Sequence, residues 1–484
     1  MQNTEFIDVD PELLELVEDD EENTRQLLAQ ESVRREQEKI LTRKRSKDKE
    51  QEWDHKEERK KAEGTSGTNH PISKDQPKHP IEELEEGIVV STTNEDSDSC
   101  NQEQTNSTSD TEHKDVALED VRVLIGKDRT ETDVYWEFGN KGLSNRHLLI
   151  TGTSGQGKTY GIQTMLYEIS KTHISTVVVD YTEGFREDQL EKKFLDKMQG
   201  RIDNRVVYFV GVPINPFKRH EIEVAGMRAP EKISDVAQRI ASTLSHVYDF
   251  GDQQFAAIYE ACSTGLEKYG DLMSMKRLEE ELNASENKSA KSVVSKMKPF
   301  VNSVDFSSTE CDWNDILYNE EGRLTIFQLT NFVRDIQVII TEFMLWDMWH
   351  YTKKNGNKDK PFIVVLDEAQ NLSHAANSPS GLILTEGRKF GWSAWYATQS
   401  LKVLNDDEIT RLMQAAFKLN FKPTAAEVTS MAKQLNPTDA NEWKNPLINL
   451  KKGECIVVGD RIQRDGKFKA GKPTVTRVTP FEKR

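Results

Sequence analysis

The stretch HLLITGTSGQGKTYGIQTML (residues 147–166) runs apolar, then glycine-rich, then helix-forming. Within it, GTSGQGKT satisfies G-x-x-x-x-G-K-[ST] with Gly152, Gly157, Lys158 and Thr159. Glycines let the chain curl, so that the backbone N–H groups of Gly152, Thr153, Ser154, Gly155, Gln156 and Gly157 can point at phosphate oxygens. Lys158 reaches the outer phosphates and the Thr159 hydroxyl ligates Mg²⁺. The apolar run before the loop reads as a buried strand, and a helix is predicted over 158–171. A phosphate loop between strand and helix implies ATP and Mg²⁺ as ligands.

Such a loop needs a metal-holding acid on a neighbouring strand. FIVVLDEAQ (362–370) places four apolar residues ahead of Asp367 and Glu368. Asp367 would hold Mg²⁺, directly or through water, and Glu368 would polarise the attacking water as general base. An acid following the aspartate favours hydrolysis over transfer to a small acceptor. A further strand, SAWYATQS (393–400), ends in Thr398–Gln399, where an amide can sense the γ-phosphate or orient water. Asp180, in VVVDYTEGF (177–185), ends another strand near the same edge, where open α/β sheets bind ligands. It either lies behind the metal ligands or caps the segment that follows.

Working outward, the chain alternates apolar strands with helices. VRVLIG (121–126), DVYWEF (133–138), TVVVDY (176–181), RVVYFVG (205–211), LTIFQL (324–329) and AFKLNF (416–421) read as further strands. Helices are expected across 231–304, 335–351 and 382–389. ECIVVGDRIQRDGKFKAGKPTVTRV (454–478) reads as a closing hairpin. Uninterrupted apolar strands between helices imply a mainly parallel sheet covered on both faces. The expected fold is therefore α/β, a P-loop NTPase spanning 116–484 with a helical insertion at 231–304.

Residues 1–115 differ in kind. They begin with the acidic EFIDVDPELLELVEDDEE (5–22), pass through a mixed-charge stretch and end rich in Ser, Thr, Asn, Asp and Glu. Burial there cannot offset chain entropy, so a largely disordered region is expected. The whole chain has 65 basic and 82 acidic residues, a formal charge of −17. Its four widely spaced cysteines form no CxxC pair, which argues against a disulfide framework or zinc site and fits a reducing compartment. No apolar run approaches the ~20 residues needed to span a bilayer. A cytoplasmic protein is the expectation.

Four stretches together resemble the HerA/FtsK superfamily of ring-forming P-loop ATPases. They are RHLLITGTSGQGKT (146–159), DYTEGF (180–185), VVLDEAQNL (364–372) and TEGRKFGWSAWYATQS (385–400). The last, a Gly-Arg-Lys-aromatic-Gly run leading into the strand ending in Gln399, is the most distinctive. Within the superfamily, residues 133–152, 340–351 and 382–400 are most similar to DptH, the ATPase component of phosphorothioation-dependent bacterial DNA restriction systems. The similarity covers roughly residue 121 onward, and DptH proteins are usually much longer.

The resemblance implies a RecA-like core and a homo-oligomer, a hexameric ring, with ATP and Mg²⁺ at subunit interfaces. It also implies DNA held without sequence specificity in the ring channel, and a partner nuclease or restriction subunits. An interfacial ATPase takes an arginine from the neighbouring subunit. Arg388 is the first candidate and Arg411 the alternative. For the DNA track, the basic stretches are Lys288, Lys291, Lys296 and Lys298, and the C-terminal part from Lys451, with ten basic against four acidic residues. The preferred reading is a DNA-dependent translocase or helicase in restriction and anti-phage defence. The alternatives are a DNA pump in conjugation or segregation, and a regulatory ring whose ATP-set assembly activates a partner effector.

Overall fold

Leu149 and Ile150 are consecutive and both fully buried, yet they belong to different cores. Val364 and Val365 divide in the same way, as do Val177 and Val178. Successive side chains of a strand point to opposite faces, so an apolar residue at every position means a sheet covered on both sides. A computed structural model describes residues 117–306, 310–463 and 465–484 of the chain. The expectation of disorder for 1–115 lies outside the described residues.

The main sheet has eleven strands, in the order β2-β1-β15-β12-β11-β3-β10-β9-β4-β8-β5. The first four are β1 (Val123–Asp128), β2 (Asp133–Trp136), β3 (Leu148–Thr151) and β4 (Thr176–Asp180). Then come β5 (Ile202–Val206), β8 (Leu324–Gln328), β9 (Phe362–Leu366), β10 (Trp392–Thr398) and β11 (Phe417–Phe421). The last two are β12 (Glu454–Val458) and β15 (Thr474–Val478). From β11 to β5 every pairing is parallel. The flank β2-β1-β15-β12 is antiparallel and joins the parallel block through β11. This is a RecA-like P-loop ATPase fold.

One face is covered by Lys158–Ile169 and Lys192–Lys197, through Ile162, Met165, Leu166 and Phe194. The other carries Arg334–Asn355, Pro379–Glu386 and a group of four helices, Ile233–Tyr248, Asp252–Tyr269, Met275–Ala284 and Ala290–Ser303. Ile233–Tyr248 buries Val236, Ile240 and Leu244, spaced four apart and therefore on one stripe. Among the described residues no helix is long and apolar enough to cross a membrane.

Four local expectations need correction. The strand read in RVVYFVG stops at Val206, and residues Val207–Val210 form a helical turn that exposes Tyr208 and Phe209. Its apolar residues mark an exposed turn at the sheet's edge, where an apolar run alone does not distinguish strand from helix. The closing hairpin is β12 paired with β15, and between them a second hairpin, β13 (Asp460–Ile462) with β14 (Phe468–Ala470), forms its own two-stranded sheet. The helix expected over 382–389 is Pro379–Glu386, opened by a Ser378 cap that accepts the Gly381 N–H, and Gly387–Phe390 is a 3₁₀ turn. Finally, β9 is not adjacent to β3, because β10 pairs with both.

Candidate functional site

The parallel strands end at one edge, and the phosphate loop leaves β3, second in the parallel block, at that edge. Gly152 has φ 141°. A Cβ there would lie 2.6 Å from Cβ of Phe421 on β11, so only glycine fits. Gly157, at φ 103°, turns the chain into the helix Lys158–Ile169. The loop is pinned from outside, with the Thr153 N–H donating to the Lys422 carbonyl at 3.0 Å.

Lys158 curls back over the loop and donates to the carbonyls of Gly152 at 2.7 Å and Thr153 at 3.2 Å. Partial burial lowers its pKa, while Asp367 and Glu368 act to raise it. Its side chain lies in a cavity of about 280 Å³ with Ser154, Gly155, Gly157, Thr159, Tyr160, Thr182, Asp367, Glu368, Gln399 and Lys452. The loop and both acids thus meet, although one strand of sheet, β10, separates β3 from β9.

Asp367 is 8% exposed and accepts from the Glu368 N–H at 2.9 Å and the Thr182 hydroxyl at 3.3 Å. Burial raises its pKa, the Glu368 N–H opposes the rise, the Glu368 carboxylate adds to it, and Lys158 opposes it. Two carboxylates therefore share a largely buried cavity with Lys158 facing them. A divalent cation suits this donor set, and Thr159 and Asp367 are the side chains that could ligate it. Among the described residues no three His, Cys, Asp or Glu side chains cluster as a metal cage. Phosphate oxygens and water would complete the shell, as is usual for Mg²⁺.

Glu368 sits at φ 49°, ψ 38°, a left-handed conformation that costs a non-glycine residue about 1 kcal/mol or more. Its carboxylate is 6% exposed in the residue as a whole and accepts from the side-chain amides of Gln399 and Gln370. The Thr398 hydroxyl donates to the Gln370 side-chain carbonyl at 2.7 Å. An acid pinned in strained backbone between two amides is held in one orientation, as a base that must aim at a water requires.

Asp180 does not line the cavity. Fully buried, it accepts the backbone N–H groups of Thr182 and Phe185, each at 3.0 Å, and the Gln328 amide at 3.2 Å. It caps the loop that carries Thr182 to Asp367. Arg388 is exposed on the 3₁₀ turn that precedes β10, at the edge opposite the phosphate loop. There it acts to lower the pKa of Arg146. Arg411 donates to the His374 carbonyl at 3.0 Å. The structure therefore brings neither arginine into the cavity of its own chain.

Thr182, Gln370 and Lys452 were not singled out from sequence. Thr182 and Gln370 lie within the motifs, two residues after Asp180 and Glu368. Lys452 belongs to the basic C-terminal stretch, but only the strand order puts the turn before β12 against the phosphate loop. The lysines of the other basic stretch, Lys288, Lys291, Lys296 and Lys298, are exposed.

Residues 123–347 match the family model described as the central domain of the helicase HerA. With the RecA-like fold, the match supports the HerA/FtsK superfamily. Among solved structures, VirB4 of Thermoanaerobacter pseudethanolicus is similar at 18% identity and a TM-score of 0.56, over 75% of this chain and 98% of that one. The bacterial conjugative coupling protein TrwBdeltaN70 is similar at 12% identity and 0.48, over 75% and 89%. TrwB with the ATP analogue ADPNP matches at 15% identity and 0.46, over 69% and 85%. No curated protein matches the chain. The matched region holds the phosphate loop and Asp180, while Asp367, Glu368 and Gln399 follow beyond residue 347.

Proposed function

We propose that this HerA-type chain hydrolyses ATP with Mg²⁺ and couples the reaction to movement along DNA, or its unwinding, beside a nuclease partner in bacterial restriction and anti-phage defence. The observation that carries the hydrolytic part is Glu368, clamped by Gln399 and Gln370, in the cavity of Lys158, Thr159 and Asp367. In this reading the loop N–H groups and Lys158 bind the phosphates, and Glu368 takes a proton from water. Gln399 aligns that water and the base. Bound Mg²⁺ supplies charge neutralisation for the phosphates.

The DNA and restriction parts rest on the HerA match and the sequence resemblance to DptH. Among the described residues lining the cavity there is no arginine, and in the ring reading a neighbouring copy would supply one. Arg388, exposed at the opposite edge, is the residue to supply it.

The test is ATP hydrolysis by the full chain with and without linear duplex DNA, with Lys158→Ala as blank. Severalfold stimulation by DNA, absent in the variant, is expected. No hydrolysis above the blank overturns the ATPase reading. Hydrolysis indifferent to DNA overturns the coupling and favours the regulatory ring.

A further inference from the structure

Lys452 stands in the turn between the helix Asn441–Ile448 and β12, on the antiparallel flank and far in sequence from every motif of the site. Its side chain nevertheless lines the cavity of Lys158 and Thr159. The turn is fastened there at two points. The Gly453 N–H donates to the Gln156 carbonyl at 3.0 Å, and the Gly453 carbonyl accepts the Val478 N–H at 2.9 Å. A Cβ on Gly157 would meet the Gly453 nitrogen at 3.4 Å, so the two backbones are in contact. The flank also clasps the helix behind the loop, where Phe481 packs edge-on against Tyr160 and Tyr167.

Among the described residues, Lys452 forms no ion pair. An ammonium group without a carboxylate, beside a loop of phosphate-seeking N–H groups, is set to meet an anion. The acids and Gln399 come from the ends of β9 and β10, where the outermost phosphate and the attacking water belong, whereas Lys452 comes with the turn fastened to Gln156 on the loop's other side, next to β11 and β12. Past Lys452 a second cavity, of about 370 Å³, opens between Lys127, Gly453, Thr479, Pro480 and Lys483. It is large enough for a nucleoside, and Lys452 belongs to both cavities.

We infer that Lys452 binds the inner phosphates of the nucleotide in cis, and that the nucleoside leaves the loop past it into the second cavity. The inference rests on the ATP reading above. Because inner phosphates are common to ATP and ADP, Lys452 gives uniform binding, which moves KM far more than kcat. A residue at the γ-phosphate would behave otherwise, affecting ATP alone.

The test compares wild type, Lys452→Ala, Lys452→Arg and Lys158→Ala for affinity to ADP and to a non-hydrolysable ATP analogue, and for KM and kcat. Lys452 is exposed, and circular dichroism checks that each variant is folded. The expected result is a loss of about tenfold for both nucleotides in Lys452→Ala, the size of one charge-assisted contact, with KM rising in step and Lys452→Arg recovering most of it. A loss confined to the ATP analogue overturns the orientation. Unchanged affinities for both overturn the contact. If the wild type binds neither nucleotide, the ATP reading itself has failed, a result distinct from either.

Discussion

The Gln399 side-chain amide donates to Oε1 of Glu368, tying the end of β10 to the residue two past the end of β9. Oε2 of the same carboxylate accepts from Gln370, whose carbonyl is held by Thr398. The strand inserted between the phosphate loop and the acids thus supplies Gln399 and Thr398, which hold the carboxylate proposed as the base.

Gln399→Ala removes one of the two amides without touching the loop. We expect kcat for ATP hydrolysis to fall by about 10–100-fold, the scale of a group that aligns acid–base chemistry. Nucleotide affinity should stay within about threefold. Steady-state rates with equilibrium binding check this, and a parallel loss of affinity would assign Gln399 to binding instead.

Glu368→Gln keeps the shape of the side chain and its carbonyl acceptor but abolishes the base. Hydrolysis should drop by about 10²–10⁴-fold, with ATP still bound. The variant should therefore accumulate ATP-bound, which is read by filtering the protein with labelled nucleotide and analysing what is retained. Release of ADP at the wild-type rate would remove Glu368 from the role of base.

The phosphate loop, the Asp367–Glu368 pair and most strands were legible because their signals are local. A buried parallel strand needs apolar residues on both faces, and the loop needs glycines at fixed spacing. The motifs imply that β10 lies beside β3, but the wider strand order is not local, so that β10 separates β3 from β9 came only with the structure. The same holds for Lys452, whose place depends on β12 pairing with β11 more than thirty residues before it. Asp180 was ambiguous because a buried carboxylate at a strand end serves a metal or a loop equally well. Backbone N–H donors decided it.

Gly152 and Gly155 separate two kinds of glycine requirement. Both have positive φ, 141° and 75°. A Cβ at Gly152 runs into Phe421 at 2.6 Å, whereas at Gly155 nothing lies within 4 Å. Gly152→Ala should therefore destabilise by about 2–4 kcal/mol, from strain and overpacking together, and Gly155→Ala by about 1 kcal/mol. Urea denaturation of the two variants checks the difference. Equal costs would mean that Phe421 moves aside.

Glu342, on the helix Arg334–Asn355, is 1% exposed, and Oε1 accepts the Ser373 N–H at 2.7 Å. Burial raises its pKa to about 8 from the ordinary 4.5, with Glu408 adding to the rise and the Ser373 contact opposing it. A carboxyl with a raised folded pKa holds its proton more tightly folded than unfolded. Stability is therefore lost as pH climbs from about 4.5 to about 8, and levels off above. Buried His374 and His147, both lowered to about 4, act in the other sense, losing stability as pH falls from 6.5 to about 4. The raw profile mixes these slopes, so the informative quantity is the difference between wild type and Glu342→Gln. Glutamine keeps an acceptor for Ser373 and cannot ionise. Relative to wild type, the variant should gain stability steadily between pH 5 and pH 8, by an amount on the order of a few kcal/mol in total. Urea midpoints across that range measure it. A difference that does not change with pH would show that Glu342 ionises normally in the folded protein.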